Sequence, residues 1–356
     1  MHLNVLWGDC IRNGRLKFQI KVFERYRRAQ TMSQNKSVNR LFLVVVVIYI
    51  GVSFGFSLLS ANIPVLAELP IYCSLLLSQA LVFVPCFLYC RGKNIKIREL
   101  IPYRRISFIT IILVVICTYL MYPLIVVLNA VSMLFSNSGT ASVSELMQSQ
   151  NFILNTLFMA LLPACVEEFM FRGVLFQTYK KSKMLPAILL SGFLFGCMHM
   201  NLNQFIYAFA LGVYLAFLVE ATGSVFSSML AHFTLNFTSV LMTFFLPKLY
   251  DTLGISQSEA MQQIEPGGYA ATMENAQLAG FLIGILFWGV IALGATCAAV
   301  GMYIAICKIN GRWGYVKKMF QGGTKERLFS IPLVLGIAII FAFMGFSVYL
   351  EWIAVS

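Results

Sequence analysis

A chain of 356 residues that is 59% hydrophobic and only 11% charged is not an ordinary soluble globular protein, whose residues run nearer half apolar and a quarter charged. The mean hydropathy of +0.81 and the plentiful Phe, Leu, Ile and Val exclude disorder as well. Neither the net charge of +12 nor the nine cysteines changes this. The basic residues fall between apolar runs rather than along a groove-binding stripe, and most cysteines lie inside those runs without CxxC spacing, so nucleic acid is not an expected partner and a disulfide scaffold is not an expected fold.

A bilayer core about 30 Å thick needs roughly 20 apolar residues per helix. Candidate spans fall near 41–61, 71–90, 106–135, 152–178, 185–199, 204–221, 224–246, 278–306 and 330–350. The expected fold class is therefore all-α: a polytopic transmembrane helical bundle of about 8–9 spans, the fifth of them short. Its expected organisation is a basic cytoplasmic tail over 1–40 and a transmembrane domain over 41–350, with a catalytic core at 152–246. Every Lys and Arg except Arg172 and Lys248 falls on one side of this alternation. The positive-inside rule makes that side cytoplasmic, the N-terminus included, in an integral, multi-pass protein expected in the cell (plasma) membrane.

The first residues carry charge and Trp7 but no long apolar core, so they are not read as a cleavable signal peptide. Met32 is an alternative start to Met1. Basic and apolar residues alternating from Arg15 to Arg28 suggest a helix lying on the inner leaflet. The loop 247–277 reads as a flexible external cap with no identifiable chemistry.

Ionisable groups at bilayer depth are costly and mark functional candidates by default. Here they concentrate in three spans: Glu167, Glu168 and Arg172 in the fourth, His199 at the end of the fifth, and His232 with Asn236 in the seventh. Glu168 and Arg172 stand four apart, as do His232 and Asn236, so each pair shares a helix face. Glu167 is turned about 100° from Glu168, so the two carboxylates do not serve one role on a regular helix. The simplest division pairs Glu168 with Arg172 and leaves Glu167 free toward the interior; the reverse assignment stays open. At about 1.5 Å per residue, Glu167, His199 and His232 lie roughly 18, 21 and 14 Å from the basic side. Gly192 and Gly196 form a small-xxx-small pair that lets helices approach closely just before His199.

Two imidazoles, a carboxylate and an amide at one level suit hydrolysis by activated water. Glu167 is the candidate general base. His199 and His232 could ligate Zn²⁺, which would lower the pKa of bound water. In a metal-free route His199 orients the water while His232 and Asn236 donate to the oxyanion. The residues leave both routes open.

Glu-Glu-x-x-x-Arg, Phe-x-x-x-His and His-x-x-x-Asn, in that order on a multispanning chain, resemble the CPBP family of intramembrane proteases, which includes CAAX prenyl proteases and bacteriocin-processing (Abi) enzymes. The resemblance implies a metalloprotease-like or metal-free intramembrane endopeptidase with Glu167, His199, His232 and Asn236 at its centre and Glu168 and Arg172 in support. It implies a membrane-associated or lipidated peptide or protein as substrate, with the lipid bilayer as surroundings. Two alternatives come from other classes: a non-catalytic membrane scaffold or bacteriocin-immunity protein, and a proton-coupled transporter. No internal symmetry of the kind common in transporters is found. Glu220, at a span end, is expected to be solvated, and Asn236-Phe237-Thr238 is a glycosylation sequon set aside because of its depth.

Overall fold

The computed structural model describes residues 33–135, 151–254, 275–318 and 327–355; the expected inner-leaflet helix at Arg15–Arg28 and most of the loop 247–277 lie outside these. Eight helices are long and apolar enough to cross a membrane. We number the long helices α1 (Ser33–Asn62), α2 (Ile71–Gly92), α3 (Phe108–Met133), α4 (Phe152–Tyr179), α5 (Met184–Met198), α6 (Leu202–Thr222), α7 (Val225–Leu253), α8 (Asn275–Ile309) and α9 (Ile331–Val355). No strand occurs among the described residues, as a spanning chain must satisfy its backbone polar groups within each helix. All nine apolar runs are helical, and the chain is an integral, multi-pass membrane protein of all-α class.

The exception in length is α5, whose 15 residues extend only about 22 Å. With α6 it makes a hairpin closed by His199, Met200 and Asn201. Met200 takes the left-handed conformation at φ 50°, and the Asn201 side chain caps α6 by accepting from the Gln204 amide. The hairpin closes tightly because its contact face is glycine. A Cβ on Gly192 would lie 2.7 Å from the Val213 nitrogen, and one on Gly212 would lie 2.7 Å from the Gly192 Cα. Gly196 likewise meets the Phe205 carbonyl, so the small-residue pair seats α5 directly on α6.

Around this hairpin, α4 is not a uniform α-helix. Asn151 caps its start by accepting from the Ile153 and Leu154 amides, and π-helical stretches then occupy Thr156–Leu161 and Phe169–Leu175. The second begins directly after Glu168 and contains Arg172. Such widened turns are frequent at functional sites because they re-aim the side chains on either side.

The side carrying the basic loops is tied together by polar contacts. The helix α1 begins at Ser33, ahead of its apolar run, and its first turns are docked: Asn39 donates to the Leu328 carbonyl and accepts from the Tyr179 hydroxyl at 2.6 Å. Asn35 donates to the Ser182 hydroxyl. The turn between α6 and α7 uses Gly223 at φ 70° and is held to the α2–α3 connection by the Val225 amide donating to the Pro102 carbonyl.

Glu220 corrects the sequence expectation. It is fully buried rather than solvated, with Lys180 at 2.8 Å and Arg312 at 3.4 Å from its carboxylate. A carboxylate taken out of water needs such partners, and the segments after α4 and after α8 supply them. Every cysteine among the described residues is a free thiol.

Candidate active site

The two adjacent carboxylates of α4 take different surroundings. Glu168 is wholly buried: its Oε1 accepts from Arg172 at 2.8 Å and from the Nδ1 of His232 at 3.1 Å. Arg172 is equally buried, donates its other terminal nitrogen to the Gly212 carbonyl at 3.1 Å, and lies 4.3 Å above the ring of Phe195. One ion pair thus connects α4, α6, α7 and the aromatic face of α5. Glu167 instead keeps 18% of its side chain exposed and lines a cavity of about 170 Å³.

Polar groups from four helices and the α5–α6 turn line that cavity: Tyr49, Ser78, Gln79, Glu167, His199 and Gln204. The volume suffices for several waters with polar partners to hold them. Gln79 of α2 donates to Glu167 at 3.2 Å, and its own carbonyl oxygen is buried without a hydrogen-bond partner among the described residues.

The two histidines present one nitrogen each. His199 bonds through Nδ1 to the Phe195 carbonyl at 3.0 Å, one turn back along α5, and that carbonyl can only accept. The proton is therefore assigned to Nδ1, which leaves the Nε2 lone pair free. His232 follows the same logic, because its Nδ1 faces the Glu168 carboxylate. Its Nε2 lies 3.9 Å from the Glu167 carboxylate, too long for a hydrogen bond but suited to one bridging water about 2.8 Å from each. The ring of Phe195 stands edge-to-face against both imidazoles, at 4.9 Å from His199 and 5.6 Å from His232, and sets their separation.

Of the residues expected at the site, Glu167 and His199 line the cavity, and His232 reaches Glu167 from the side. Glu168 and Arg172 form the pair behind them. Asn236 is half-buried one turn beyond His232 and is not among the lining residues. A Zn²⁺ site on His199 and His232 needs at least a third donor, and among the described residues no group of three or more His, Cys, Asp or Glu side chains is placed to hold a metal. The donor set as arranged does not fit that ion. Sequence reasoning missed Tyr49, Ser78, Gln79 and Gln204; Gln79 alone had a signal, as an amide inside an otherwise apolar span.

An apolar bundle with ionisable groups gathered around an internal polar cavity defines the class: an integral membrane protein carrying a buried cluster of ionisable side chains. Residues 149–238, about a quarter of the chain, match the family described as Type II CAAX prenyl endopeptidase Rce1-like. This is the CAAX protease family that the motifs resemble, and the match supports an intramembrane CAAX-type protease in general. No curated protein and no solved structure matches the chain.

Proposed function

We propose that this protein is an intramembrane endopeptidase that hydrolyses a peptide bond in a membrane-associated substrate bearing a lipidated cysteine, and that it works in the cell (plasma) membrane with its N-terminus in the cytoplasm. The observation that carries the reading is the pairing of an accessible carboxylate with a fixed imidazole acceptor. Glu167 opens onto a polar cavity, and the Nε2 of His232 waits 3.9 Å away, held by Glu168.

The chemistry follows from these groups. Water bridging Glu167 and His232 loses a proton to Glu167 as its oxygen attacks the scissile carbonyl. The developing oxyanion requires donors, and the side-chain amide of Asn236, one turn from His232, is the group assigned to it. Glu167 then returns the proton to the departing amine, the carbon–nitrogen bond breaks, and acid and amine leave. His199, with Nδ1 committed to Phe195, offers Nε2 to orient the water or an N–H of the substrate.

The match to a prenyl endopeptidase family favours a prenylated protein or peptide over a bacteriocin-type peptide. The test is cleavage of a farnesylated peptide ending in a three-residue tail, with purified protein in liposomes. Wild type releases the tail, and Glu167→Gln, which keeps the hydrogen bonds but not the base, lowers the rate by about 10²–10⁴. Undiminished cleavage by the well-folded Glu167→Gln protein would falsify the assignment.

A further inference from the structure

Away from the cavity, α1 and α2 enclose a second feature that the proteolytic reading does not use. At the basic end of the bundle lies a bowl of about 670 Å³ with Lys36, Arg40, Lys93 and Lys181 on its wall and no carboxylate among its described lining residues. From it a groove of about 650 Å³ runs along the helix pair, walled by Leu41, Val44, Ile48, Val84 and Leu88. The two are continuous, because Ser37, Arg40, Tyr89 and Lys93 line both. None of these residues lines the Glu167 cavity.

The charges in the bowl call for an anion. None of its four cations forms an ion pair with a described residue, whereas nearby Lys180 and Arg312 share Glu220 and Lys96 holds Glu99. Like charges gathered on one wall repel, and an anion between them removes that cost. At the junction the Tyr89 hydroxyl donates to Ser37 at 3.1 Å, which sets two hydroxyl groups between the charged and apolar ends. Beyond it the groove is open to the bilayer: Val44, Val84 and Leu88 keep 47%, 46% and 58% of their surface exposed. Pro85 lies within α2 along this stretch and removes one helical hydrogen bond there.

A site that is cationic at the membrane edge, hydroxylic at the junction and apolar along the helices has the polarity sequence of one molecule class. We propose that the α1–α2 cleft binds an anionic glycerophospholipid, its phosphate among Lys36, Arg40, Lys93 and Lys181 and an acyl chain along Val44, Ile48, Val84 and Leu88. A free anion would occupy the bowl and leave the groove unused. General attraction of basic loops to an anionic leaflet would require no groove.

The test uses the full-length protein in detergent with phosphatidylglycerol or phosphatidylcholine of matched chains, and counts retained lipid by native mass spectrometry. Phosphatidylglycerol is retained in preference. The double variant Arg40→Gln, Lys93→Gln weakens retention on the order of tenfold or more, and inorganic phosphate does not compete. Leu88→Trp, which fills the groove without altering charge, weakens it as well, while Lys96→Gln outside the cleft has no effect. Arg40 and Lys93 are exposed, so the double variant folds as wild type does. Equal retention of the two lipids overturns the proposal, and so does indifference to the double variant, which would put the lipid elsewhere or the chain's own N-terminal segment in the bowl. Loss on charge removal with phosphate competing and Leu88→Trp inert reduces the site to an anion pocket and overturns the lipid assignment.

Discussion

His232 donates its Nδ1 proton to the Oε1 of Glu168 across 3.1 Å, inside a bundle where Glu168 has no contact with solvent. This bond fixes the tautomer and the ring plane, so the opposite nitrogen is an acceptor aimed at Glu167. In the proposed mechanism Glu168 acts through His232 as a positioning residue. Glu168→Gln keeps the shape and an oxygen for His232 but removes the charge that favours that tautomer. Cleavage should fall about 10–100-fold, the range seen when the outer partner that orients a ligating histidine is removed. The loss should appear in kcat with KM little changed, because Glu168 is fully buried and lies outside the cavity lining.

The same carboxylate bears a structural load. Glu168 and Arg172 are both fully buried, and truncating one leaves the other charged and unpaired, at a cost of about 3–5 kcal/mol. Arg172→Met alone should therefore lower the thermal midpoint in detergent far more than Glu168→Gln with Arg172→Met together. A double variant no more stable than Arg172→Met would mean that the pair contributes little to the fold.

Gln79 reaches Glu167 from outside the family-matched segment. It donates to Glu167 at 3.2 Å while its carbonyl oxygen has no hydrogen-bond partner among the described residues. Gln79→Leu frees the Glu167 carboxylate to rotate and removes an acceptor for a substrate N–H. Both kcat and KM should worsen, together by about tenfold in kcat/KM, the equivalent of a hydrogen bond to a charged group. Gln79→Glu should be worse than Gln79→Leu, because it places a second negative charge against the base. A steady-state comparison of the three proteins decides this.

The four-residue spacings made part of this arrangement readable from the amino-acid sequence. Helical periodicity alone puts Glu168 beside Arg172, and the structure pairs them at 2.8 Å. The nine apolar runs are all helices, since backbone groups in a bilayer have no other partner than their own helix. Contacts between helices were not readable in this way. Gln79 meets Glu167 across 88 positions of chain, and nothing local to Gln79 distinguishes it from an amide that merely pairs with a neighbouring helix. Glu220 looked solvated because its partners, Lys180 and Arg312, stand 40 and 92 positions away. The π-helical turns of α4 leave no mark that helical periodicity would register.

The α5–α6 contact gives a stability prediction with little ambiguity. A methyl group on Gly212 would sit 2.7 Å from the Gly192 Cα and 2.9 Å from its carbonyl oxygen, and backbone cannot step aside as a side chain can. Gly212→Ala must therefore separate the hairpin, at about 1–3 kcal/mol for an overpacked contact. The separation also moves the Gly212 carbonyl away from Arg172, which donates to it at 3.1 Å, so the defect reaches Glu168 and His232. Thermal melting should show the loss of stability and the cleavage assay a loss of rate. Gly284→Ala on α8, where nothing lies within 4 Å of the added carbon, should change neither.

The buried Glu220 extends the reasoning to the other end of the bundle. Its carboxylate joins Lys180 after α4 to Arg312 after α8, and Arg312 also donates its Nε to the Glu220 carbonyl. Neutralising the carboxylate leaves two cations facing each other with no anion between them. Glu220→Gln should destabilise the protein by about 1–3 kcal/mol, the cost of lost hydrogen bonds to charged groups, because the two cations left behind are partly exposed. Lys180→Gln should cost much less, because Arg312 still compensates the charge and the Lys180 side chain is partly exposed. Lys180 lies past the end of α4, away from Glu167, so Lys180→Gln should leave kcat unchanged while lowering the melting temperature slightly. A rate loss in Lys180→Gln equal to that in Glu168→Gln would show that the two ends of α4 are mechanically coupled, contrary to this division of roles.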